Sequence, residues 1–279
     1  MVTIVADTTA GLPRELTARL GIPLIPQVVV FGEESFKDDT EIDSATFLKK
    51  LKAARELPKT AAPSPAWYNP IYEDAKRRGD SVIVVTPSAK VSGTFRAAEV
   101  AAQDFPGLDV RVIDSLTIAG NLGSLVLMAH EWAQKCENTD TVVNWLNYWI
   151  PRGRLYFLVD TLEYLQKGGR IGGAKALLGE LLQVKPILTV RDGQVEPFEQ
   201  QRTKKRALAR LMEIVEEQCP KNTGAHLCVM HADAQGVAET LAADLRSRMN
   251  LKDVPVYELP PAIIVHGGPG ALAVGFFVA

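Results

Sequence analysis

The sequence predicts an α/β protein in two parts: a three-layer α/β/α domain around a parallel sheet, then a second α/β domain with a mixed sheet. Three observations predict it. Across the first half, short apolar β-branched runs alternate with longer helical patterns, the grammar of a parallel sheet covered on both faces. In the second half Asp192-Gly193 separates two strand-like runs and reads as a hairpin turn, so an antiparallel element enters there. Pro151-Arg152-Gly153 stands just before that change, which places a boundary near residue 152, with domains over 1–152 and 153–279. A chain of 279 residues suits two such units.

The elements follow in order. Strands are expected over 3–6, 24–31, 81–86, 110–113 and 154–159, and later over 187–190, 194–199, 226–231, 254–258 and 271–278. Helices are expected over 13–20, 45–52, 65–78, 93–103, 119–134 and 140–149, then over 174–182, 204–218 and 237–248. Pro13 and Pro65 suit first helical positions, Ser64 suits a cap, and Gly21 and Gly79 suit helix exits. The stretch 32–43 carries six acids and reads as a solvated surface loop.

The charge balance, 31 basic against 33 acidic residues for a net −2, argues against nucleic acid as the main partner. Three cysteines, Cys136, Cys219 and Cys228, without a C-x-x-C pair read as reduced, mostly buried thiols of a cytoplasmic protein. No leader peptide is evident at the start, and no apolar run approaches the roughly 20 residues of a membrane span.

The chemistry-bearing segments are few. Lys167-Gly168-Gly169-Arg170-Ile171-Gly172-Gly173 sets one guanidinium among four glycines after an apolar turn. Glycines let backbone approach a ligand closely, and a fixed arginine is suited to a carboxylate or phosphate. The competing reading is a glycine turn with Arg170 paired to a structural acid. Four further polar segments lie at strand-to-helix turns or near the end: Asp7-Thr8-Thr9, residues 59–64, residues 88–94 and residues 265–270. Each also has an ordinary reading as a cap or turn. There is no G-x-x-x-x-G-K-[ST] loop, no G-x-G-x-x-G after the first strand and no G-x-S-x-G elbow around Ser92. His226 and His231, five apart with no acid between, have poor metal spacing, so no metal site is expected.

One string carries a family resemblance. TLEYLQKGGRIGGAKALLGELLQVKPIL, residues 161–188, resembles the signature of the DegV family of bacterial fatty-acid-binding proteins. VADTTAGLP (5–13), LPKTAAPSP (57–65) and PSAKVSGTF (87–95) resemble that family's opening, P-K-T and S-G-T blocks. IDS (113–115), QRT (201–203) and HGGPG (266–270) match further blocks in order, so the likeness spans the chain. It implies a two-domain DegV-like fold, similar to the substrate-binding part of dihydroxyacetone kinases, with a long-chain fatty acid buried between the domains. It also implies that the chain is no enzyme by itself. It would carry the acid, with no further cofactor, to a separate ATP-dependent fatty acid kinase subunit that phosphorylates the carboxylate.

Carried over by motif, the head-group residues are Thr60, Ser92, Arg170 and His266. The same blocks bring Asp7, Thr8, Gly93, Thr94, Gly169, Ile171, Arg202 and Gly267 near the site. This chain departs from the family at Ala61, usually serine, and at Gly267, commonly threonine; its opening reads Asp7-Thr8-Thr9. The ligand's physics is consistent with this set. Roughly 14–16 methylenes at about 0.8 kcal/mol each favour burial by on the order of 12 kcal/mol before ordering costs. A buried carboxylate needs a fixed cation and neutral donors. Two alternatives remain: a serine hydrolase or acyltransferase in which His266 activates Ser92, and a lipid-sensing protein with no kinase partner.

Overall fold

The computed structural model describes residues 1–136, 138–178 and 184–278. The first half runs β1 (Val2–Asp7), α1 (Arg14–Leu20), β2 (Leu24–Ile25), β3 (Val28–Phe31), β4 (Glu34–Lys37), α2 (Ser44–Ala53) and β5 (Lys59–Ala61). It continues with α3 (Asn69–Arg78), β6 (Ser81–Thr86), α4 (Thr94–Gln103), β7 (Val110–Asp114), α5 (Ala119–Lys135) and α6 (Thr139–Trp149). The second half runs β8 (Gly153–Leu158), α7 (Glu163–Lys167), β9 (Lys185–Arg191), β10 (Gln194–Gln201) and α8 (Lys204–Gln218). It ends with β11 (Cys228–His231), α9 (Gln235–Met249), β12 (Val256–Glu258), α10 (Pro261–Gly267) and β13 (Leu272–Phe277).

The order β2-β1-β6-β7 is parallel throughout. Its central strands β1 and β6 are buried on both faces, which explains their apolar runs. Along β6, Ile83 and Val85 pack with α5 and α6, while Val82 and Val84 pack with α3 and α4. The second sheet, β10-β9-β8-β13-β11-β12, is mixed: only β11 and β12 pair in parallel. Asp192 and Gly193 both take positive φ in the β9–β10 turn, as the hairpin reading requires. One face of this sheet, with Tyr156, Leu158 and Val274, is covered by α8 and α9. The other, with Leu155, Leu188 and Ala273, packs against α10 and residues of the first half such as Val29 and Phe47.

Several local expectations need correction. The run 24–31 is two strands in different sheets: Pro26 cannot donate to a ladder, and the chain leaves the parallel sheet there. β3 instead centres a small antiparallel sheet, β4-β3-β5. Residues 59–64 are not simply a polar lead into a helix, because 59–61 form the edge strand β5. Ser64 makes no side-chain cap bond to the 3₁₀ turn Pro65–Trp67. The acidic stretch is solvated only in part: Glu33, Glu34, Glu41 and Asp43 are exposed. It contains β4, and Asp38 has no exposed surface, its Oδ2 accepting from Thr8 Oγ1 at 2.9 Å. Residues 265–267 belong to α10 rather than to a turn. A 3₁₀ helix covers Gly172–Leu177, and the remainder of the helix expected over 174–182 extends beyond the described residues.

Candidate functional site

The apolar face of β8 and β13 that α8 and α9 leave uncovered is built from small and spaced side chains. Ala271 and Ala273 there are too short to fill the gap to α10, and a cavity results. The space between its walls, counting the solvent at its open mouth, comes to about 980 Å³. Its walls are largely apolar, with Ile118, Leu155, Phe157, Leu165 and Ile263 among them. The polar atoms come from Thr60, Ser92, Arg170 and His266, with Thr9 and Gln27.

Four separate chain segments supply the first four. Thr60 sits on β5, opposite Val29 of β3. Ser92 lies in the turn between β6 and α4, held by its amide donating to Ser88 O at 3.0 Å. Arg170 follows α7, where successive amides of Gly168, Gly169 and Arg170 donate back to Tyr164, Gln166 and Leu165 carbonyls. His266 is in the last turn of α10.

The Arg170 guanidinium is not paired to a structural acid. Nε donates to Val91 O at 3.0 Å and Nη1 to Gly168 O at 2.7 Å. Among the described residues no carboxylate forms an ion pair with it. Two carbonyl dipoles orient the planar group while leaving its full charge uncompensated, the state of a cation arranged for an external anion.

Thr60 Oγ1 and His266 Nε2 share a hydrogen bond of 2.8 Å. Burial, and secondly the charge of Arg170, push His266 down to about 4, so the ring is neutral near pH 7. Its Nδ1 is buried without a hydrogen-bond partner among the described residues. A buried bare lone pair is a smaller penalty than an orphaned N–H, which favours the proton on Nε2. His266 then donates to Thr60, and the Thr60 hydroxyl proton is free for the cavity.

The histidine gives an acid-stability prediction. An unfolded histidine titrates near 6.5 and the folded one near 4. Between those values the unfolded chain binds more protons, so stability is intact above about 6.5 and falls towards pH 4, by ~3 kcal/mol at full extent. Asp38, pushed up to about 7 mainly by burial, acts oppositely over this range. The measurement is therefore the denaturant midpoint of wild type against His266→Gln at about pH 7.5 and 4.5. Wild type should lose ~2–3 kcal/mol more than the variant; equal losses would reject the assignment.

Beneath Ser92 lies a buried polar network. Asp7 accepts from the Thr9 amide at 2.9 Å, from Thr9 Oγ1, from Gln27 Nε2 and from Thr94 Oγ1 at 2.9 Å. Burial raises its carboxyl above the usual range, and these donors pull against that. Thr94 Oγ1 and Ser92 Oγ are 2.9 Å apart. Thr8 belongs to this layer through Asp38 and through the Gln27 amide at 3.1 Å, without lining the cavity.

Of the supporting residues, Gly93 and Gly267 line the cavity, and Asp7 and Thr94 reach it through Ser92 and Gln27. Gly169 holds a left-handed turn and Ile171 is in the core beneath. Arg202 is exposed and does not line the cavity. Thr9 lines the cavity from the segment 7–9 that the sequence marked, whereas Gln27 was not singled out, since a buried glutamine after Pro26 has no local signature. Among the described residues no hydrogen bond joins Ser92 to His266: Nε2 of the histidine meets Thr60, and Ser92 Oγ meets Thr94. Among the described residues there is no group of three or more metal-ligating side chains, and no helix is long and apolar enough to cross a membrane.

Comparison with known proteins gives consistent relatives. The sequence model described as "Uncharacterised protein, DegV family" matches residues 1–279. A DegV domain-containing protein of Streptomyces coelicolor is 38% identical over 275 residues, covering 98% of this chain and 97% of that one. The crystal structure of DegV, described as a fatty acid binding protein from Bacillus subtilis, superposes with a TM-score of 0.90 at 31% identity, covering 100% and 99% of the two chains. A structure described as fatty acid binding of a DegV family protein from Thermus thermophilus gives 0.88 at 31%, with the same coverage. With its fold, its sequence blocks and its whole length matched, this chain belongs to the DegV family.

Proposed function

We propose that this protein binds a long-chain fatty acid in the cavity and presents its carboxylate to a separate ATP-binding kinase subunit for acyl-phosphate formation. One observation carries the reading: a largely apolar cavity whose polar end holds a guanidinium with carbonyl partners and no acid. In it Arg170 neutralises the carboxylate, Thr60 and Ser92 donate hydroxyls, and His266 sets the direction of the Thr60 hydroxyl. The acyl chain runs along the apolar walls. The ligand lies between two lobes, 1–152 and 153–279, and both contribute to its head-group site: Thr60 and Ser92 from one, Arg170 and His266 from the other. Relatives at 31% identity whose structures are described as fatty-acid-binding support the ligand class.

The carboxylate oxygen is itself the nucleophile towards a phosphoryl group, so no base is required of this chain. ATP, magnesium and transition-state charge stabilisation come from the partner. The carrier works in the cytoplasm and needs no resident cofactor.

Denaturing extraction of the purified protein followed by lipid mass spectrometry tests the ligand. About one fatty acid per chain is expected, and a stripped protein that takes up no added palmitate would refute the reading. Phosphate transfer from ATP to the bound acid in the presence of a cognate kinase tests the second half. Binding without any transfer would instead favour a lipid sensor.

A further inference from the structure

We propose that the buried Asp7 carboxylate competes with the ligand's head group for one pair of hydroxyls, Thr94 and Ser92, and so sets the cavity's preference between charged and uncharged lipid heads. The proposal rests on the fatty-acid reading above and deepens it.

Asp7 receives four donors: the Thr9 amide, Thr9 Oγ1, Gln27 Nε2 and Thr94 Oγ1. That set fits an ionised carboxylate. Gln27 Nε2 has two protons, one for Asp7 and one for Thr94 Oγ1 at 2.6 Å. Thr94 has a single hydroxyl proton. While that proton points to Asp7, Thr94 offers only lone pairs to Ser92 across 2.9 Å, and Ser92 must donate its own proton there. One Ser92 lone pair accepts from the Thr94 amide at 3.3 Å, so Ser92 then faces the cavity with the other. Such a group accepts from an alcohol or a protonated acid and repels a carboxylate.

The opposite polarity uses the same heavy-atom positions. Thr94 turns its proton to Ser92, Ser92 turns its proton into the cavity, and Asp7 keeps both Thr9 donors and one Gln27 proton. A ligand carboxylate selects this polarity and Asp7 opposes it. The two anions therefore share one relay, and the head-group affinity is what remains after Asp7 gives up one charge-assisted bond. Asp7 touches no ligand; it is a positioning residue acting through Thr94.

The test uses the full chain stripped of lipid, with palmitate and hexadecan-1-ol as probes in calorimetric titration. Asp7→Asn with Oδ1 towards Gln27 and Thr94 still accepts from both but carries no charge, so it holds the Thr94 proton less strongly and the relay shifts towards the cavity. The palmitate-to-hexadecanol affinity ratio should rise about tenfold, the size of one gained charge-assisted hydrogen bond. In the Thr94→Val background, where the relay is severed, Asp7→Asn should leave the ratio unchanged. A variant that alters both probes equally, or a shift that persists in the Thr94→Val background, overturns the proposal. Should Asp7→Asn fail to fold, Thr94→Val alone decides: it frees the Ser92 proton, so the ratio rises, and an unchanged ratio overturns the idea. A wild-type chain that binds palmitate with no change of ratio in either variant defeats this proposal alone; one that binds neither probe defeats the fatty-acid reading with it.

Discussion

Arg170→Ala should weaken palmitate binding by on the order of a hundredfold or more, because a carboxylate left in a largely apolar cavity without its counter-charge carries a penalty of ~3–5 kcal/mol. The side chain also spans the site: Nε holds the Val91 carbonyl from the Ser92 turn, and Nη1 holds Gly168 O beside His266. Arg170→Lys keeps the charge but cannot reproduce the planar fork, so it should fall between wild type and Ala. Titration of stripped protein with palmitate reads the effect, and a thermal melt confirms that the variant is folded. A folded Arg170→Ala protein with wild-type affinity would remove the arginine from the head-group site, and with it the main support for a carboxylate ligand.

The second large effect is expected at Gly168, and it separates two meanings of a glycine-rich motif. A Cβ at Gly168 would stand 2.2 Å from His266 Nδ1 and 2.9 Å from the Tyr164 carbonyl. Neither approach is sterically possible, so Gly168→Ala must rotate the imidazole and break its 2.8 Å bond to Thr60. The cost in stability is about 1–3 kcal/mol, as for other overpacked sites. At Gly169 the surroundings are open and the constraint is the backbone, with φ at +69°. Gly169→Ala should therefore cost roughly 1–2 kcal/mol of left-handed strain while leaving His266 in place. Palmitate affinity should drop markedly in the first variant and little in the second. Equal losses would mean that the glycines serve the turn alone and not the head-group site.

The difference between those neighbouring glycines shows how far local pattern reaches. The alternation of strands and helices was legible because covering a parallel sheet on both faces demands apolar residues at successive positions, as β6 shows with Val82 to Val85. The β9–β10 hairpin was legible because its turn demands positive φ at two residues, and Asp-Gly supplies it. The segment 265–267 was not read as helix, since seven residues of α10 give too short a period and Gly267 looks like a stop. The acids of 32–43 were read as solvated because an isolated charge run almost always is; only packing against Thr8 and the start of α10 reveals Asp38 as buried.

Within the site, chain order brought forward residues that recur in motifs. Thr60, Ser92, Arg170 and His266 each lie in a block with its own grammar, and the structure brings all four to one cavity. Gln27 and Thr9 also line that cavity, and their polar role follows from what β1, α4 and the Pro26 break bring within reach of Asp7.

The sequence alone determined the class of fold, the parallel first sheet, the β9–β10 hairpin and the presence of a lone arginine in a glycine-rich turn, because periodicity and turn chemistry are properties of neighbouring residues. Only the tertiary structure decided that this arginine meets carbonyls rather than an acid, that His266 is neutral against Thr60, and that the Thr94 hydroxyl stands between Asp7 and Ser92. Burial, counter-charge and proton direction depend on atoms brought together from distant parts of the chain, and no spacing along it encodes them.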